Sequence, residues 1–282
     1  MDIKTIGVVG SGIMGSGIAQ VAAVTGYNVI IRDINDDILK KNIGGIHKSL
    51  DKLVSKEKMT AADADAVKGR IKSTVAMEEV AQADFIVEAA TENIAIKKEV
   101  YAAIDANAKP ETILASNTSS ISITELGSYT KRSECFIGMH FFNPVPVMKL
   151  LEVIPGYNTT KETLETTKAV GEKMGKIIVT ASDRAGFIVS RLLDLYLNEA
   201  VFALDEGVGT VEDIDNGMVY GCNYPMGPLA LTDLIGLDVI LAVMEVMYRE
   251  NGDAKYRPAP LLRKMVRAGK LGRKTGEGFY KY

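Results

Sequence analysis

A glycine-rich hexapeptide near the N-terminus constrains the fold of this chain more than any other feature. The sequence GSGIMG at residues 10–15 follows a short apolar run and opens a stretch of small and apolar residues. In a strand–turn–helix unit, Gly10 allows the tight turn, Gly12 lets the backbone approach a pyrophosphate, and Gly15 lets the helix pack closely on the sheet. The helix N-terminus then faces the phosphates. This context predicts a Rossmann domain that binds a dinucleotide, in preference to a glycine turn without a ligand.

An acidic residue closes the second predicted strand. Residues 28–32 (NVIIR) are typical of a buried strand, and Asp33 follows it, 18 residues after Gly15. A carboxylate at that position accepts hydrogen bonds from the ribose hydroxyls and repels a 2′-phosphate. The charge therefore predicts NAD as the cofactor in preference to NADP. Arg32 leaves a partial relaxation of this preference open, although we favour a solvated cation at the strand end.

The composition excludes several classes of protein. Of 282 residues, 47% are hydrophobic and 24% are charged, and the formal net charge of −3 gives no electrostatic reason for binding nucleic acid or an anionic membrane. Cys135 and Cys222 are too few for a disulfide framework and are expected to be reduced thiols. The N-terminal residues run into a strand without a signal-peptide pattern, and no apolar run approaches the roughly 20 residues of a membrane span. We expect a cytoplasmic protein without a metal ion.

The alternation of predicted elements changes near residue 185. Before it, short apolar runs alternate with helical stretches, which is typical of an α/β fold with a mostly parallel sheet. The predicted strands are residues 6–9, 28–32, 85–87, 113–115, 136–139, 150–154 and 177–179. After it, helical periodicity covers residues 187–206, a segment capped at 210–213, 228–249 and 260–268. We therefore expect a Rossmann-type domain at 1–185 and an all-helical domain at 186–282, which makes a homodimer by burying one face against a second copy.

Histidine occurs at only two positions, and only one of them suits catalysis. His47 lies in a polar, lysine-rich stretch at residues 36–55 and is expected at the surface. His140 directly follows the predicted strand at 136–139, and ligands of open α/β sheets bind at the carboxyl ends of strands. An imidazole titrates near neutral pH, so His140 suits proton transfer in alcohol–carbonyl interconversion. A structural histidine held by hydrogen bonds is the alternative.

A single carboxylate interrupts the apolar run at residues 150–154. Burying Glu152 in a strand costs free energy unless the carboxylate has a partner, and His140 is a suitable one. Glu152 would then fix the tautomer of His140 and stabilise its imidazolium, as the acid does in hydrolase triads. A hydrolase itself is disfavoured, because the sequence has no nucleophile elbow.

A polar tetrapeptide follows the predicted strand at residues 113–115. Residues 117–120 (NTSS) carry an amide and three hydroxyls. These groups suit a carbonyl or a carboxamide, but the same residue types also favour an ordinary turn. The composition of the tetrapeptide leaves both interpretations open.

Four blocks of sequence resemble one enzyme family. They are residues 117–120 (NTSS), 140–150 (HFFNPVPVMKL), 225–228 (PMGP) and 276–280 (GEGFY). In these blocks, and in order along the whole chain, the sequence resembles the short-chain L-3-hydroxyacyl-CoA dehydrogenases, and most of all their bacterial members that act on 3-hydroxybutyryl-CoA. The resemblance implies a Rossmann domain followed by a helical dimerisation domain. It also implies interconversion of (S)-3-hydroxybutyryl-CoA and acetoacetyl-CoA with NAD(H), as in fatty acid or butyrate metabolism.

The resemblance implies roles for individual residues. His140 matches the general acid/base, Glu152 the carboxylate that orients it, and Ser119 the serine that bonds the reacting oxygen and the cofactor. Together with the glycine loop, the expected cofactor contacts are Gly10, Gly12, Ile13, Met14, Gly15, Asp33, Glu92, Lys97, Asn117, Ser119, Asn143 and Lys274. The expected substrate contacts are Ser49, Lys56, Ser119 and Asn143, with Lys56 a point charge for the CoA phosphates.

The chain departs from the family pattern at two places. The family usually reads Pro-Gly-Phe at the domain junction, whereas this chain has alanine at position 185, which loosens one turn. The family typically places a catalytic asparagine where this chain has Ser190. Serine donates and accepts hydrogen bonds but is shorter by about one amide group, so we expect Ser190 to act through a bridging water.

Two other functions stay open. One is a related Rossmann dehydrogenase that acts on a hydroxy acid without CoA, against which Ser49 and Lys56 favour the thioester. The other is a catalytically weak, dinucleotide-binding structural protein, as some lens crystallins that resemble this family are. The pairing of His140 with Glu152 argues against the second, and Ser190 keeps it open.

Overall fold

The chain divides into two units, the first ending at Arg184 and the second beginning at Ala185. The structure is a computed structural model, and it describes residues 2–282. Each unit has its own hydrophobic core. The two units are described separately below.

Within the described residues, eight strands of the first unit form one sheet. They are Thr5–Val9 (β1), Asn28–Arg32 (β2), Ile71–Thr74 (β3), Phe85–Glu88 (β4), Ile113–Ser116 (β5), Phe136–Phe141 (β6), Leu150–Pro155 (β7) and Ile177–Thr180 (β8). The order is β3-β2-β1-β4-β5-β6-β7-β8, and β6–β7 is antiparallel whereas the other neighbours are parallel. The first six strands have the order of a dinucleotide-binding fold, in which the ligand crevice lies where the strand order reverses, here between β1 and β4. The predicted Rossmann-type, mostly parallel sheet is confirmed.

Helices connect the strands of the first unit. They are Ile13–Val24 (α1), Asp36–Ser55 (α2), Ala61–Gly69 (α3), Met77–Val80 (α4), Ile94–Asn107 (α5), Ile123–Ser128 (α6) and Lys161–Lys173 (α7). The small residues of α1 allow close packing, because a Cβ on Gly17 would lie 2.8 Å from the Cβ of Val145. Helix α2 is capped by Asn35, whose side chain accepts from the Ile38 amide at 2.9 Å.

The amphipathic stretch predicted at residues 36–55 is helix α2. It buries Leu39, Ile46 and Leu50 and leaves its lysines on the other face. His47, expected at the surface, is half-buried on this helix.

The sequence analysis missed β3 and α7, because neither element buries a regular set of large apolar side chains. β3 reads IKST and buries only its last residue, which is sufficient at the edge of a sheet. Helix α7 buries Thr163, Thr167 and Gly171 beside one valine, so its inner face is not marked by large apolar residues. At Gly171 a Cβ would lie 2.7 Å from side-chain atoms of the strands beneath, which is why this face stays small.

His140 lies inside a strand, and the prediction that it follows the strand was wrong. Strand β6 continues to Phe141, since its antiparallel partner β7 extends the ladder by pairing His140 with Glu152 and Phe141 with Leu151. His140 is therefore held by strand pairing on a rigid element, close to its carboxyl end.

The second unit is helical, as predicted. Its helices are Val189–Asp205 (α8), Val211–Cys222 (α9), Pro228–Ile235 (α10), Leu237–Asn251 (α11) and Pro260–Arg267 (α12). Two predicted boundaries were wrong. Phe187 has a φ of 45°, so α8 begins two residues later, and Gly236 with a φ of 108° divides the run predicted at 228–249 into α10 and α11.

Two buried aspartates fasten the second unit together. Asp215 accepts from the Leu229 amide at 2.7 Å, at the start of α10, and Asp233 accepts from the Tyr280 amide at 2.9 Å, in the C-terminal segment. A Cβ on Gly227 or on Gly278 would overlap these carboxylates. Gly227 of PMGP and Gly278 of GEGFY are thus required by packing, so these two blocks support the fold of the unit.

Among residues 2–282, no helix combines the length and the apolar character needed to cross a membrane.

Candidate active site

Parallel strands bring the chemically distinctive residues of the first unit to one edge of its sheet. The glycine loop at residues 10–15 follows β1, Asp33 follows β2, and Glu88 ends β4. Ser119 follows β5, and His140 is the next-to-last residue of β6. Because these five strands are parallel, their carboxyl ends share the edge at which open α/β sheets bind ligands.

The glycine loop fits a dinucleotide. Gly10 has a φ of +99°, and a Cβ there would lie 2.5 Å from the Ala89 carbonyl oxygen. A Cβ on Gly15 would overlap the Gly10 carbonyl oxygen, so the first and third glycines are required by the fold of the turn. Gly12 is different, since a Cβ there would meet nothing within 4 Å, and no side chain caps helix α1. The first backbone amides of helix α1 therefore face open space, which suits a pyrophosphate.

The Asp33 carboxylate is held in one orientation. One oxygen accepts from the Ser11 amide and hydroxyl, both at 2.6 Å, and the other accepts from the Ile34 amide at 2.7 Å. Asn42 on α2 in turn donates to the Ser11 hydroxyl at 3.0 Å. Partial burial alone would raise the pKa of Asp33, but the bonds from Ser11 and Ile34 and the charge of Arg32 together lower it. The carboxylate is thus anionic at neutral pH, as the preference for NAD requires.

His140 and Glu152 form a buried pair. Their register across β6 and β7 puts the two side chains on the same face, and His140 Nδ1 lies 2.7 Å from Glu152 Oε2. The Glu152 side chain is 0% exposed and that of His140 is 10% exposed. The ring of Phe142 lies 4.5 Å from the imidazole, centroid to centroid. A short, dry contact of this kind fixes the ring of His140 in a single orientation.

The tetrapeptide after β5 is tied to its surroundings by side chains. Asn117 Oδ1 accepts from the Phe141 amide at 3.0 Å, directly after His140. Glu92 accepts from the Ser119 amide at 3.1 Å and from the Thr118 hydroxyl at 2.9 Å. The segment is therefore an ordered loop that places Ser119 at the carboxyl edge.

A buried lysine holds the loop between β6 and β7. Lys176 Nζ donates to the carbonyl oxygens of Val145 at 2.5 Å and Met148 at 2.8 Å. Burial lowers the pKa of Lys176. This loop contains Asn143, whose side chain is exposed.

Sequence reasoning missed Glu88, a fully buried carboxylate at the end of β4. Its donors come from the loop after β4, from helix α5 and from β5. The signal was present in the sequence, since the run FIVE at residues 85–88 places one carboxylate in an apolar strand. The cost argument that singled out Glu152 applies equally to Glu88.

Comparison with known proteins agrees with this geometry. Residues 5–184 match the family described as 3-hydroxyacyl-CoA dehydrogenase, NAD binding domain, and residues 186–282 match 3-hydroxyacyl-CoA dehydrogenase, C-terminal domain. The chain belongs to the 3-hydroxyacyl-CoA dehydrogenase family. It is an NAD-dependent oxidoreductase.

Relatives of this dehydrogenase match it along nearly the whole chain. A probable 3-hydroxybutyryl-CoA dehydrogenase of Deinococcus radiodurans is 51% identical over 98% of this chain and 99% of its own. A probable 3-hydroxybutyryl-CoA dehydrogenase of Bacillus subtilis is 49% identical over 100% and 98%. The crystal structure of (S)-3-hydroxybutyryl-CoA dehydrogenase from Ralstonia eutropha has a TM-score of 0.98 at 50% identity, covering 100% of this chain and 99% of that one.

Some expected cofactor contacts of the dehydrogenase lie together in the first unit. Glu92 and Lys97 form one cluster with the loop of Ser119. Ile13 is exposed at the start of α1, whereas Met14 packs against the core. Lys97 is itself 1% exposed, so its charge is directed at Glu88 and Glu92.

Other expected contacts lie elsewhere in the chain. Ser49 is half-buried on α2, and Lys56 is exposed directly after that helix. Ser190 and Lys274 belong to the second unit. Ser190 is half-buried in the first turn of α8, and Lys274 forms an exposed ion pair with Asp238.

Proposed function

We propose that this dehydrogenase interconverts (S)-3-hydroxybutyryl-CoA and acetoacetyl-CoA, with His140 as the general acid/base. The observation that carries the proposal is the 2.7 Å contact of His140 Nδ1 with buried Glu152, at the carboxyl edge of an NAD-binding sheet. The four-carbon thioester is supported by the names of the relatives from D. radiodurans, B. subtilis and R. eutropha.

The contact with Glu152 assigns the protons of His140. An ionised carboxylate only accepts hydrogen bonds, so Nδ1 carries a proton and Nε2 is the basic nitrogen. In the oxidative direction Nε2 takes the proton of the 3-hydroxyl group, and the resulting imidazolium is stabilised by Glu152. In the reductive direction the imidazolium returns that proton to the new alkoxide. NAD, when bound, supplies the acceptor or donor of the hydride.

The loop after β5 supplies a second group to the reacting oxygen. The amide of Ser119 is held by Glu92, which leaves the hydroxyl to donate to the substrate oxygen. Asn117 joins the same loop to the strand of His140, so the two groups are placed by one hydrogen-bonded framework. We infer that Asn143, on the loop held by Lys176, contacts both cofactor and substrate.

Recognition of the CoA moiety is assigned to helix α2. Ser49 and Lys56 lie on and just beyond this helix, and the exposed ammonium of Lys56 suits a phosphate as a point charge. We assign Lys274 to the cofactor and Ser190 to the substrate oxygen, the latter through a bridging water because serine is shorter than asparagine.

The experiment that tests the proposed function compares substrates. NADH oxidation should proceed with acetoacetyl-CoA and be lower by orders of magnitude with free acetoacetate at the same concentration. Turnover of acetoacetate equal to that of acetoacetyl-CoA would reject a thioester substrate in favour of a free hydroxy acid.

The position of Ser190 has its own test. If serine acts through a water, Ser190→Ala should lower kcat with acetoacetyl-CoA, and Ser190→Asn should retain or raise it. Unchanged turnover in both variants would show that the position has no catalytic role.

We also propose that the helical unit makes a homodimer in the cytoplasm. Support comes from an apolar groove of about 350 Å³ lined by Ala200, Val208, Ile214 and Met218, among others. Val208, which lines this groove, is 74% exposed, and contiguous exposed apolar surface is typical of contacts between proteins. Sedimentation at micromolar concentration should give twice the chain mass of 30.4 kDa, and a single-chain mass would refute the dimer. Cell fractionation tests the proposed location, and the protein is expected in the cytoplasmic fraction.

A further inference from the structure

The carboxylate of Glu88 has no role in the reaction described above, yet it is surrounded by donors. Oε1 accepts from the Ala90 amide at 2.7 Å, and Oε2 accepts from Tyr101 and Ser116 hydroxyls at 2.8 Å each. Lys97 Nζ lies 2.8 Å from both oxygens. The residue is 0% exposed, so these bonds hold it in a single orientation away from water.

Lys97 shares its charge between two carboxylates. Its Nζ is 3.4 Å from Glu92 Oε2, in addition to its contacts with Glu88. A lysine that is 1% exposed needs a counter-charge, because an unpaired ammonium in a dry interior is strongly unfavourable. Glu88 supplies that charge from inside the protein, and the half-exposed Glu92 supplies a weaker one from the side of the loop.

The same cluster holds the loop of Ser119 at both ends. Ser116, at the end of β5, donates to Glu88. Glu92 accepts from the Ser119 amide at 3.1 Å and from Thr118, whose hydroxyl also accepts from a later amide of the loop. The position of the Ser119 backbone therefore depends on where the Glu92 carboxylate lies, and Glu92 is placed by Lys97.

We propose that Glu88 is a positioning residue for Ser119 and acts through Lys97 and Glu92. This inference rests on the proposed function, in which the Ser119 hydroxyl bonds the reacting oxygen. Without the charge of Glu88, the ammonium of Lys97 keeps a single counter-charge. Glu92 then moves toward Lys97 and away from the Ser119 amide. A displacement of about 1 Å at a catalytic group costs up to about a hundredfold in rate.

A double-mutant cycle tests the route from Glu88 to Ser119. Glu88→Gln keeps the shape of the side chain and removes its charge, so it should lower kcat with acetoacetyl-CoA and NADH by about tenfold. In the Ser119→Ala background the same substitution should lower kcat by less than about twofold, because the group being positioned is absent. Equal losses in the two backgrounds would overturn the proposal, as would a Ser119→Ala variant with unchanged kcat.

These outcomes separate the inference from the function on which it depends. Failure of the proposed function appears as no thioester turnover by the wild-type enzyme. Failure of the inference appears as additive losses in an enzyme that still turns over acetoacetyl-CoA.

Tyr101→Phe is the matched control. It removes one donor from the same buried carboxylate and leaves the contacts of Glu88 with Lys97 intact. It should lower the melting temperature and keep kcat within about twofold of wild type. A loss of kcat as large as that of Glu88→Gln would mean that loosening of the interior, rather than the charge, is responsible. If Glu88→Gln alone does not fold, Glu88→Gln combined with Lys97→Met leaves no unpaired buried charge and tests the route from both residues together. At saturating NADH its loss of kcat should again be about tenfold alone and less than about twofold in the Ser119→Ala background, and equal losses would overturn the route.

Discussion

Replacing Asp194 with asparagine should change the stability of the dehydrogenase in a pH-dependent way. Asp194 lies in the middle of α8 and is 4% exposed. Within residues 2–282, no hydrogen bond or ion pair reaches its carboxylate, and burial alone raises its pKa from 3.8 to about 7. The wild-type protein therefore loses free energy of unfolding when this group ionises.

The sign and size of the effect follow from proton linkage. Because the folded-state pKa is raised, the folded state binds more protons than the unfolded state between pH 3.8 and about 7. Stability contributed by protonated Asp194 is complete below this window and is lost as the pH rises through it. At ~1.4 kcal/mol per pKa unit, the loss is about 2 kcal/mol at pH 5 and about 4 kcal/mol at pH 8. Asparagine carries no charge at either pH, so its own burial cost is constant.

Urea unfolding followed by far-ultraviolet circular dichroism measures the effect. The stability of Asp194→Asn relative to wild type should increase by about 2 to 3 kcal/mol between pH 5 and pH 8. Glu199→Gln, which removes an exposed carboxylate from the same helix, is the control. Its stability relative to wild type should be nearly the same at pH 5 and pH 8. A difference between Asp194→Asn and wild type that is the same at both pH values would refute the reasoning.

Three further predictions concern the NAD site and the proton transfer. His140→Ala should abolish turnover of acetoacetyl-CoA and leave NADH affinity, measured by calorimetry, within about twofold of wild type, because the imidazole transfers a proton and does not bind the cofactor. Loss of both turnover and NADH affinity would show that the histidine has a structural role. Asp33→Ala should raise the ratio of kcat/KM for NADPH to that for NADH by at least about tenfold, and an unchanged ratio would contradict the charge argument. Gly15→Ala should abolish NADH binding, because its Cβ would overlap the Gly10 carbonyl oxygen, whereas Gly44→Ala on α2, with nothing within 4 Å, should add about 1 kcal/mol of stability. Normal NADH binding by Gly15→Ala, or a fall in melting temperature in Gly44→Ala, would count against the geometry.

The pairing of His140 with Glu152 could be predicted from the sequence because few candidates existed. The chain has two histidines, and Glu152 interrupts a run of apolar residues, so a partner for this carboxylate was needed. The predicted position of His140 just after its strand was wrong, because the end of a strand depends on how far the neighbouring strand continues the hydrogen-bonded ladder. Glu88 was missed although its sequence signal is equally strong, since its partners come from the loop after β4, from helix α5 and from strand β5.

The sequence by itself determined the α/β class, the glycine-rich turn after β1, the helical character of the second unit and the family. The first three depend on turn chemistry or periodicity within a few neighbouring residues, as at Gly10, and the family depends on four short blocks of sequence. Only the tertiary structure decided that the polar segments at β3 and α7 form a strand and a helix, and that Gly236 divides a helical run. It also decided that Lys97 lies between Glu88 and Glu92. The physical reason is that a buried charge is stabilised by whichever groups the packing brings to it, and strand order and register set which groups those are.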